Sequence, residues 1–344
     1  MAGASRQRLT RWLDARWYGN SPMGLLLAPL SWLYCTAGTL RRLAYRLHLR
    51  KTRHPGVPVI VVGNITVGGT GKTPLVIWLV QRLRGAGYAP AVVSRGYGGR
   101  AARWPQQARA DSDPGVVGDE PVLIASRTGC PVAVAPDRGA AAASLVEYTS
   151  CDIIVADDGL QHYGLGRDLE IAVIDGVRRL GNGRCLPAGP LRESPRRLRR
   201  VDFIVANGLA GEGETGMQLA AAPMRNLRDE GATADRHQFT GGPVHAVAGI
   251  GCPARFFDQL RGMGLRVVEH AFPDHHPFKP ADLDFGDGAP VIMTEKDAVK
   301  CRHFAQGHHW YLPVEARMDE TFARTLLARI NEIAAAYRDR GARA

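Results

Sequence analysis

The chain predicts an α/β fold: a doubly wound, mostly parallel sheet, a second and smaller α/β domain after it, and a membrane-associating helical segment before it. Three observations carry this expectation. Short apolar runs alternate with helical patterns from Val57 onward, the arrangement of strand–crossover–strand units. One of those runs, Val57–Gly63, feeds a glycine-rich turn that closes on Lys72-Thr73. The first 55 residues set an uncharged apolar stretch between basic flanks. The organisation read from this is a basic and apolar segment over 1–55, a core over 56–207, a connector over 208–243 and a smaller domain over 244–344.

In the first segment Arg6, Arg8, Arg11, Arg16, Arg41, Arg42, Arg46, Arg50, Lys51 and Arg53 face a single acid, Asp14. No charge lies between Arg16 and Arg41, and Trp17, Tyr18, Trp32 and Tyr34 sit near the ends of the apolar part. Aromatics favour the membrane interface, and basic flanks attract anionic head groups by about 1 kcal/mol per charge. A spanning helix needs about 20 apolar residues, and Pro22 and Pro29 interrupt this run. A signal peptide would strand a nucleotide site outside the cytosol. An interfacial anchor fits better; an ordinary core hairpin with a basic outer face is the alternative.

The core opens with Gly63-Asn-Ile-Thr66-Val-Gly68-Gly69-Thr70-Gly71-Lys72-Thr73, followed by a helical pattern over Pro74–Gly85. A strand feeding such a turn aims several backbone N–H groups and a helix N-terminus at one spot, which suits polyphosphate. Lys72 can reach β- and γ-phosphates and the Thr73 hydroxyl can hold Mg²⁺. Thr66 stands where the strict pattern has glycine. The core is therefore expected to be P-loop NTPase-like and to bind ATP or another nucleoside triphosphate.

Further strands are expected at Pro90–Ser94, Val132–Pro136, Asp152–Ala156, Leu169–Ile174 and Val201–Ala206, with a helix over Gly139–Tyr148. In doubly wound sheets ligands sit at the carboxyl ends of strands. There Asp157-Asp158 offers a carboxylate for Mg²⁺ or its water shell. Arg95, in Ser94-Arg-Gly-Tyr-Gly-Gly99, is either a phosphate contact or a solvated turn residue. Asp119 and Glu120, before a helix, offer a base for a substrate hydroxyl, or Asp119 is a helix cap. Arg192-Glu193 closes a proline-rich loop and reads as a solvated ion pair from spacing alone.

The smaller domain is expected to run strand Val244–Ile250, helix Pro253–Met263, strand Leu265–Ala271, strand Pro290–Thr294 and a terminal helix near Asp319–Tyr337. Its Asp274-His275-His276 run is either a polar loop or a base-assisting cluster. Met293–Asp297 superficially resembles a guanine-reading motif, but Lys296 adjoins Asp297 and the spacing does not support GTP specificity.

Composition sets limits on partners. Net charge is +11, and only five of the 44 basic residues are lysines, one of them in the glycine-rich loop. A nucleic-acid binder would interleave aromatics with that charge along a groove, and outside the N-terminal segment none are found. The six cysteines are scattered with no C-x-x-C pair, which argues against a zinc ribbon and a disulfide framework and fits a reducing compartment.

The motifs form one ordered set. The loop Gly63–Thr73, Ser94-Arg-Gly-Tyr-Gly98, Gly118-Asp-Glu-Pro121, Asp157-Asp-Gly-Leu-Gln-His162 with Arg167-Asp-Leu169, Pro187–Glu193, Phe272-Pro-Asp-His-His276 and Thr294-Glu-Lys-Asp-Ala-Val-Lys300 follow one another along the chain. In this order they resemble the tetraacyldisaccharide 4′-kinase family, the lipid A 4′-kinases of Gram-negative bacteria. The resemblance spans the apolar N-terminal segment to about Lys300; the stretch beyond carries no signature. It implies Mg²⁺-dependent transfer of the γ-phosphoryl group of ATP to the 4′-hydroxyl of an acylated glucosamine disaccharide 1-phosphate. It also implies a peripheral or monotopic enzyme on the cytoplasmic face of the bacterial inner membrane, working on an anionic membrane surface without nucleic acid or an obligatory protein partner.

Carried onto this chain, the resemblance places Thr66, Gly68, Gly69, Thr70, Gly71, Lys72, Thr73 and Arg95 around ATP, with Lys72 on the transferring phosphate. Thr73 with Asp157 or Asp158 would complete the metal site. Asp119 would be the base, with His275, chosen over His276 for its place directly after Asp274, orienting it or sharing its proton. Arg192 and Glu193 would lie at the substrate site. A membrane-tethered nucleotide-switch ATPase acting on a protein partner is the alternative reading.

Overall fold

A computed structural model describes residues 12–13, 15–19 and 23–341. Arg6, Arg8, Arg11, Asp14 and Pro22 lie outside the described residues. The elements are helix α1 (Ala28–Arg46), β1 (Val59–Gly63), α2 (Lys72–Gly85), β2 (Pro90–Ser94), β3 (Gln106–Ala108), α3 (Asp119–Thr128), β4 (Val132–Val134), α4 (Arg138–Tyr148), β5 (Ile153–Asp157), β6 (Leu169–Asp175), β7 (Phe203–Asn207) and β8 (Thr215–Ala221). They continue with β9 (Met224–Asn226), β10 (Thr233–Ala234), β11 (Pro243–Ala248), α5 (Pro253–Gly262), β12 (Arg266–Ala271), β13 (Val291–Thr294), α6 (Glu295–Cys301), β14 (His309–Leu312), β15 (Val314–Met318) and α7 (Glu320–Gly341).

Two sheets result. The first has nine strands in the order β15-β8-β7-β6-β1-β5-β2-β4-β3, and the second six in the order β10-β9-β14-β13-β11-β12. In the first, the run from β8 to β4 is parallel, and only β3 and β15 join antiparallel. Successive residues of β1 point to opposite faces. Ile60 and Val62 pack in one core with Leu75 and Leu79 of α2 and Phe322, Leu326 and Ile330 of α7. Val59 and Val61 pack in the other with Ala141, Ala142 and Leu145 of α4. Both faces are covered, so the central strands read as unbroken apolar runs. In the second sheet, Ala246 and Ile292 pack against Phe257 and Leu260 of α5 on one side. Val247 and Met293 pack against Phe278, Leu283 and Tyr311 on the other.

The expected partition differs from the observed one in its details. The stretch read as a connector over 208–243 carries β8, β9 and β10, and β8 extends the first sheet. The 244–344 stretch builds most of the second sheet, but β15 and α7 return to the first. The chain thus crosses between sheets twice, next to Ala222 and Pro313, and the Ala222 N–H donates to the Pro313 carbonyl (3.0 Å). These strands are short or mixed in polarity, so no apolar run announces them.

At the N-terminus, Pro29 starts a helix rather than breaking one: it sits in the first turn of α1, where a missing N–H costs nothing. Of α1 only Ala28 and Ser31 are buried, whereas Trp32 is 71% and Leu33 68% exposed. No helix among the described residues is long and apolar enough to cross a membrane. The helix and the segment before it are tied to the loop before Arg192: the Ser31 hydroxyl of α1 donates to the Cys185 carbonyl (2.8 Å), and the Trp17 indole, ahead of α1, to that of Pro187 (3.0 Å). Cys35 and Cys185 form a disulfide (Cα–Cα 6.4 Å) across 150 residues. One link is not the framework that the scattered cysteines argue against, but it runs counter to the reading of a reducing compartment; a single long-range link has no spacing signature, and Cys130, Cys151, Cys252 and Cys301 are free of disulfides.

Leu79 of α2 is fully buried in the first core. Leu79→Ala should therefore destabilise the protein by about 2–5 kcal/mol through lost burial and a residual cavity. Urea unfolding with an unchanged slope checks this; a loss under about 1 kcal/mol would show that the surrounding core collapses onto the gap.

Candidate active site

Strand register builds the floor of the cleft. β5 lies beside β1 with Asp157 opposite Val62, so the carboxylate pair and the glycine-rich turn leave the sheet at the same end. The turn hands over to α2 at Gly71, which has φ 91°. A Cβ there would also meet Asn207 Nδ2 at 2.8 Å, so the position demands glycine on both counts. Asn207 in turn donates to the Thr70 carbonyl (3.2 Å). The proline-rich loop runs alongside: Val67 N–H donates to the Pro190 carbonyl (2.8 Å) and Arg192 N–H to that of Ile65 (2.7 Å). Thr66 bridges to Leu191 and is buried.

The two adjacent aspartates meet opposite surroundings. Asp158 has Lys72 at 3.5 Å and Arg192 at 3.1 Å, and Arg138 donates to its backbone carbonyl (2.8 Å). Burial alone would raise the Asp158 carboxyl, but Lys72, Arg192 and Arg138 hold it down at about 2. Asp157 is 1% exposed. Burial, then the charges of Glu120 and Asp158, push its carboxyl up to about 7. Its Oδ2 accepts from the Ser94 hydroxyl (3.4 Å), while its Oδ1 is buried with no hydrogen-bond partner.

The opposite wall brings in the second sheet. Gly118, with φ 93°, leads into α3, so Asp119 is the first helical residue and not the cap. Asp119 is buried, and His275 Nδ1 lies 2.9 Å from its Oδ2 and 3.1 Å from its Oδ1. His275 comes from the loop after β12, and the Tyr97 ring packs on it at 4.9 Å. From α6, Lys296 reaches Glu120 Oε1 (3.0 Å), His275 Nε2 (3.4 Å) and Asp274 (3.5 Å). Burial pushes the Asp119 carboxyl up, yet the His275 hydrogen bond and the charges of Lys296, His275 and Lys300 bring it below its ordinary value. Lys296 is raised despite burial, by Glu120, Asp119 and Asp274. Of the four non-glycine residues with positive φ among the described residues, Asp158 (48°) and His275 (59°) both stand in this cleft.

Lys72, Asp157, Asp158, Arg192, Asp119 and His275 are thus gathered at the strand ends. Arg95 stands exposed just past β2. Glu193 does not join the charges around Asp158: its Oε1 accepts from the Tyr163 hydroxyl (2.6 Å), and Arg197 Nε lies 3.4 Å from its Oε2. His276 instead pairs with Asp282 (3.1 Å). Residues that motif spacing alone did not single out are Arg138, Lys296 and Lys300. Arg138 follows a strand, and both lysines follow another within the motif Thr294–Lys300, the signals that point to them.

A buried carboxylate–imidazole pair, a glycine turn bearing a lysine and two adjacent carboxylates are groups of the kind that a phosphotransferase acting on an alcohol uses. Comparison with known proteins narrows the class. The profile described as tetraacyldisaccharide-1-P 4′-kinase matches residues 23–331. The tetraacyldisaccharide 4′-kinase of Alkalilimnicola ehrlichii is 54% identical over 93% of this chain and 98% of that protein. That of Nitrosococcus oceani is 51% identical over 92% and 94%. The crystal structure of LpxK from Aquifex aeolicus in complex with ATP superposes with a TM-score of 0.75 at 28% identity, covering 90% of this chain and 99% of that one. The chain belongs to the tetraacyldisaccharide 4′-kinase family.

The Asp157 carboxyl has a testable signature. Its native value lies above the unfolded one, so the native state holds the extra proton and stability falls as pH rises from about 4 to about 7. In metal-free buffer, Asp157→Asn should melt above the wild type at pH 8 and lose that advantage at pH 5, a swing on the order of 1–3 kcal/mol. Parallel melting curves at the two pH values would contradict the buried, partnerless carboxylate.

Proposed function

We propose that the protein transfers the γ-phosphoryl group of ATP to the 4′-hydroxyl of a tetraacyldisaccharide 1-phosphate, at the cytoplasmic face of the bacterial inner membrane. The observation that carries this reading is the Asp119–His275 contact at 2.9 Å, made between groups of the two sheets. A sugar alcohol is a poor nucleophile until its proton has an acceptor, and ATP is the donor named in the related crystal structure.

In this reading the turn Thr66–Thr73 is a phosphate loop whose Gly68, Gly69, Thr70 and Gly71 backbone groups cradle the triphosphate. Lys72, 3.5 Å from Asp158, swings to the transferring phosphate. Arg95 is free to contact phosphate from the end of β2. The 4′-oxygen forms a bond to the γ-phosphorus, and the bond from that phosphorus to the β–γ bridging oxygen breaks. ADP leaves with the electron pair, and the hydroxyl proton passes to the ionised Asp119. His275, bonded through Nδ1, orients the carboxylate and shares the proton. Arg192 steadies Asp158 and the donor side, while Glu193 anchors the loop through Tyr163 and Arg197.

Mg²⁺ fits the donors present. The Thr73 hydroxyl and the Asp157 carboxylate are hard oxygen ligands, and the partnerless Asp157 Oδ1 is available to a cation. When bound, the ion would neutralise charge on the β- and γ-phosphate oxygens. Asp158, engaged on both oxygens by cations, is the less suitable ligand of the pair.

The exposed apolar face of α1, with Leu30, Trp32, Leu33 and Leu40 in solvent and Arg41, Arg42 and Arg46 at its end, supports an interfacial anchor. The acyl chains of the acceptor lie in the same bilayer, and α1 packs on the loop that leads to Arg192.

Label transfer from γ-labelled ATP to an acylated disaccharide lipid tests the reaction. Asp119→Asn should lower turnover at least about 100-fold while Mg·ATP affinity survives; unaltered turnover would remove Asp119 from the chemistry. Replacing Trp32 and Leu33 with serine should weaken co-sedimentation with anionic vesicles by about tenfold or more and leave ATP binding intact. Unchanged sedimentation would place the membrane contact elsewhere.

A further inference from the structure

Behind the Asp119–His275 pair lies a buried polar unit with no assigned role. Asp297, in the first turn of α6, is fully buried. Its Oδ2 accepts from the Gly249 N–H (2.8 Å) and from the Thr294 hydroxyl (2.6 Å). Its Oδ1 lies 2.7 Å from Lys300 Nζ. From this one carboxylate two branches run to the reacting pair. Gly249 accepts the backbone N–H of His275 at 3.2 Å, which helps to hold that residue at its positive φ. Lys300, itself nearly buried, stands 3.8 Å from Asp119 Oδ2.

An ion pair three residues apart on a helix surface contributes little. This one is withdrawn from water and aimed at a third charge, where truncating a partner leaves a buried group uncompensated. Lys296 and Lys300 are four residues apart, hence on one face of α6, and they divide two adjacent carboxylates of α3. Lys296 takes Glu120 and Lys300 takes Asp119. The α6 face thus presents an ordered cation to each.

We infer that Lys300, clamped by Asp297, is a positioning residue for phosphoryl transfer: it holds the Asp119 carboxylate in place, and the same Asp297 braces His275 through Gly249. Both halves of the acid–base pair are then set by one side chain of α6. The inference rests on the reading of Asp119 as the base. The charged and titratable groups facing Asp119 are His275 with Asp274 behind it, Lys296 and Lys300 from α6, and Glu120 on its own helix.

A double-mutant cycle with Lys300→Met and Asp119→Asn tests it by label transfer from γ-labelled ATP. Lys300→Met alone should lower kcat at least about tenfold with the KM for ATP within about twofold. The low-pH limb of its kcat/KM profile should move to higher pH, because Asp119 loses a cation that favours its ionised form. In the Asp119→Asn background the same substitution should cost less than about twofold. Lys300→Arg, which keeps the charge, should recover most of the loss. An equal loss in both backgrounds, or a fall in kcat with the pH limb unmoved, would make Lys300 a purely structural residue and overturn the inference. Lys300→Gln carries the same cycle should the methionine variant not fold. Full turnover in Asp119→Asn alone would instead sink the base assignment on which this rests.

Discussion

Parallel pairing of β1 with β5 is the constraint on which the cleft depends. It sets Asp157 opposite Val62, so two chemically different strand ends emerge side by side: a glycine turn that gathers N–H groups, and a pair of carboxylates. A slip of one residue would turn every side chain of β5 to the other face. Both cores forbid it, since Ile153 and Val155 fill one and Ile154 and Ala156 the other. Hydrophobic packing many ångströms from any phosphate thereby fixes where an aspartate stands. The electrostatics follow from that placement: Asp158 turns to Lys72 and Arg192 and stays ionised, while Asp157, one residue away, keeps an oxygen without a partner.

The second sheet contributes by approach. It delivers His275 to Asp119 and Lys296 to Glu120, and Arg255 of α5 reaches Asp175 at the end of β6 (2.6 Å). All three contacts pair opposite charges or a carboxylate with an imidazole. Apolar packing backs them: Val299 of α6 is buried in the first core with Val122 and Leu123 of α3. The two chain crossings beside Ala222 and Pro313 lie against each other, which confines their separation to one edge and leaves the mouth of the cleft at the other contacts.

Much of this was legible in the sequence, for a physical reason. Strands buried on both faces must be apolar throughout, so Val59–Gly63, Pro90–Ser94 and Leu169–Asp175 stood out as runs. Ligand-facing residues of doubly wound sheets follow such strands, so position alone points to Asp157 and Asp158 as candidates. What stayed hidden depends on contacts across the fold. β14 and β15 are four and five residues long, and α6 is seven, too short for a periodic pattern. Nothing local separates Asp157 from Asp158; the distinction comes from Lys72, Arg138 and Arg192, which are distant in sequence. Glu193 adjoins Arg192, yet the two side chains join different networks. Neither Lys296 nor Lys300 signals a target on α3 until the two sheets meet.

The split origin of the Asp119–His275 pair has a consequence for idle turnover. One partner rides on each sheet, so on the reading of Asp119 as the base, any movement between the sheets would separate the carboxylate from its imidazole, and attack of water on a bound triphosphate would slow with it. The proposed proton acceptor is complete only where both sheets contribute to it.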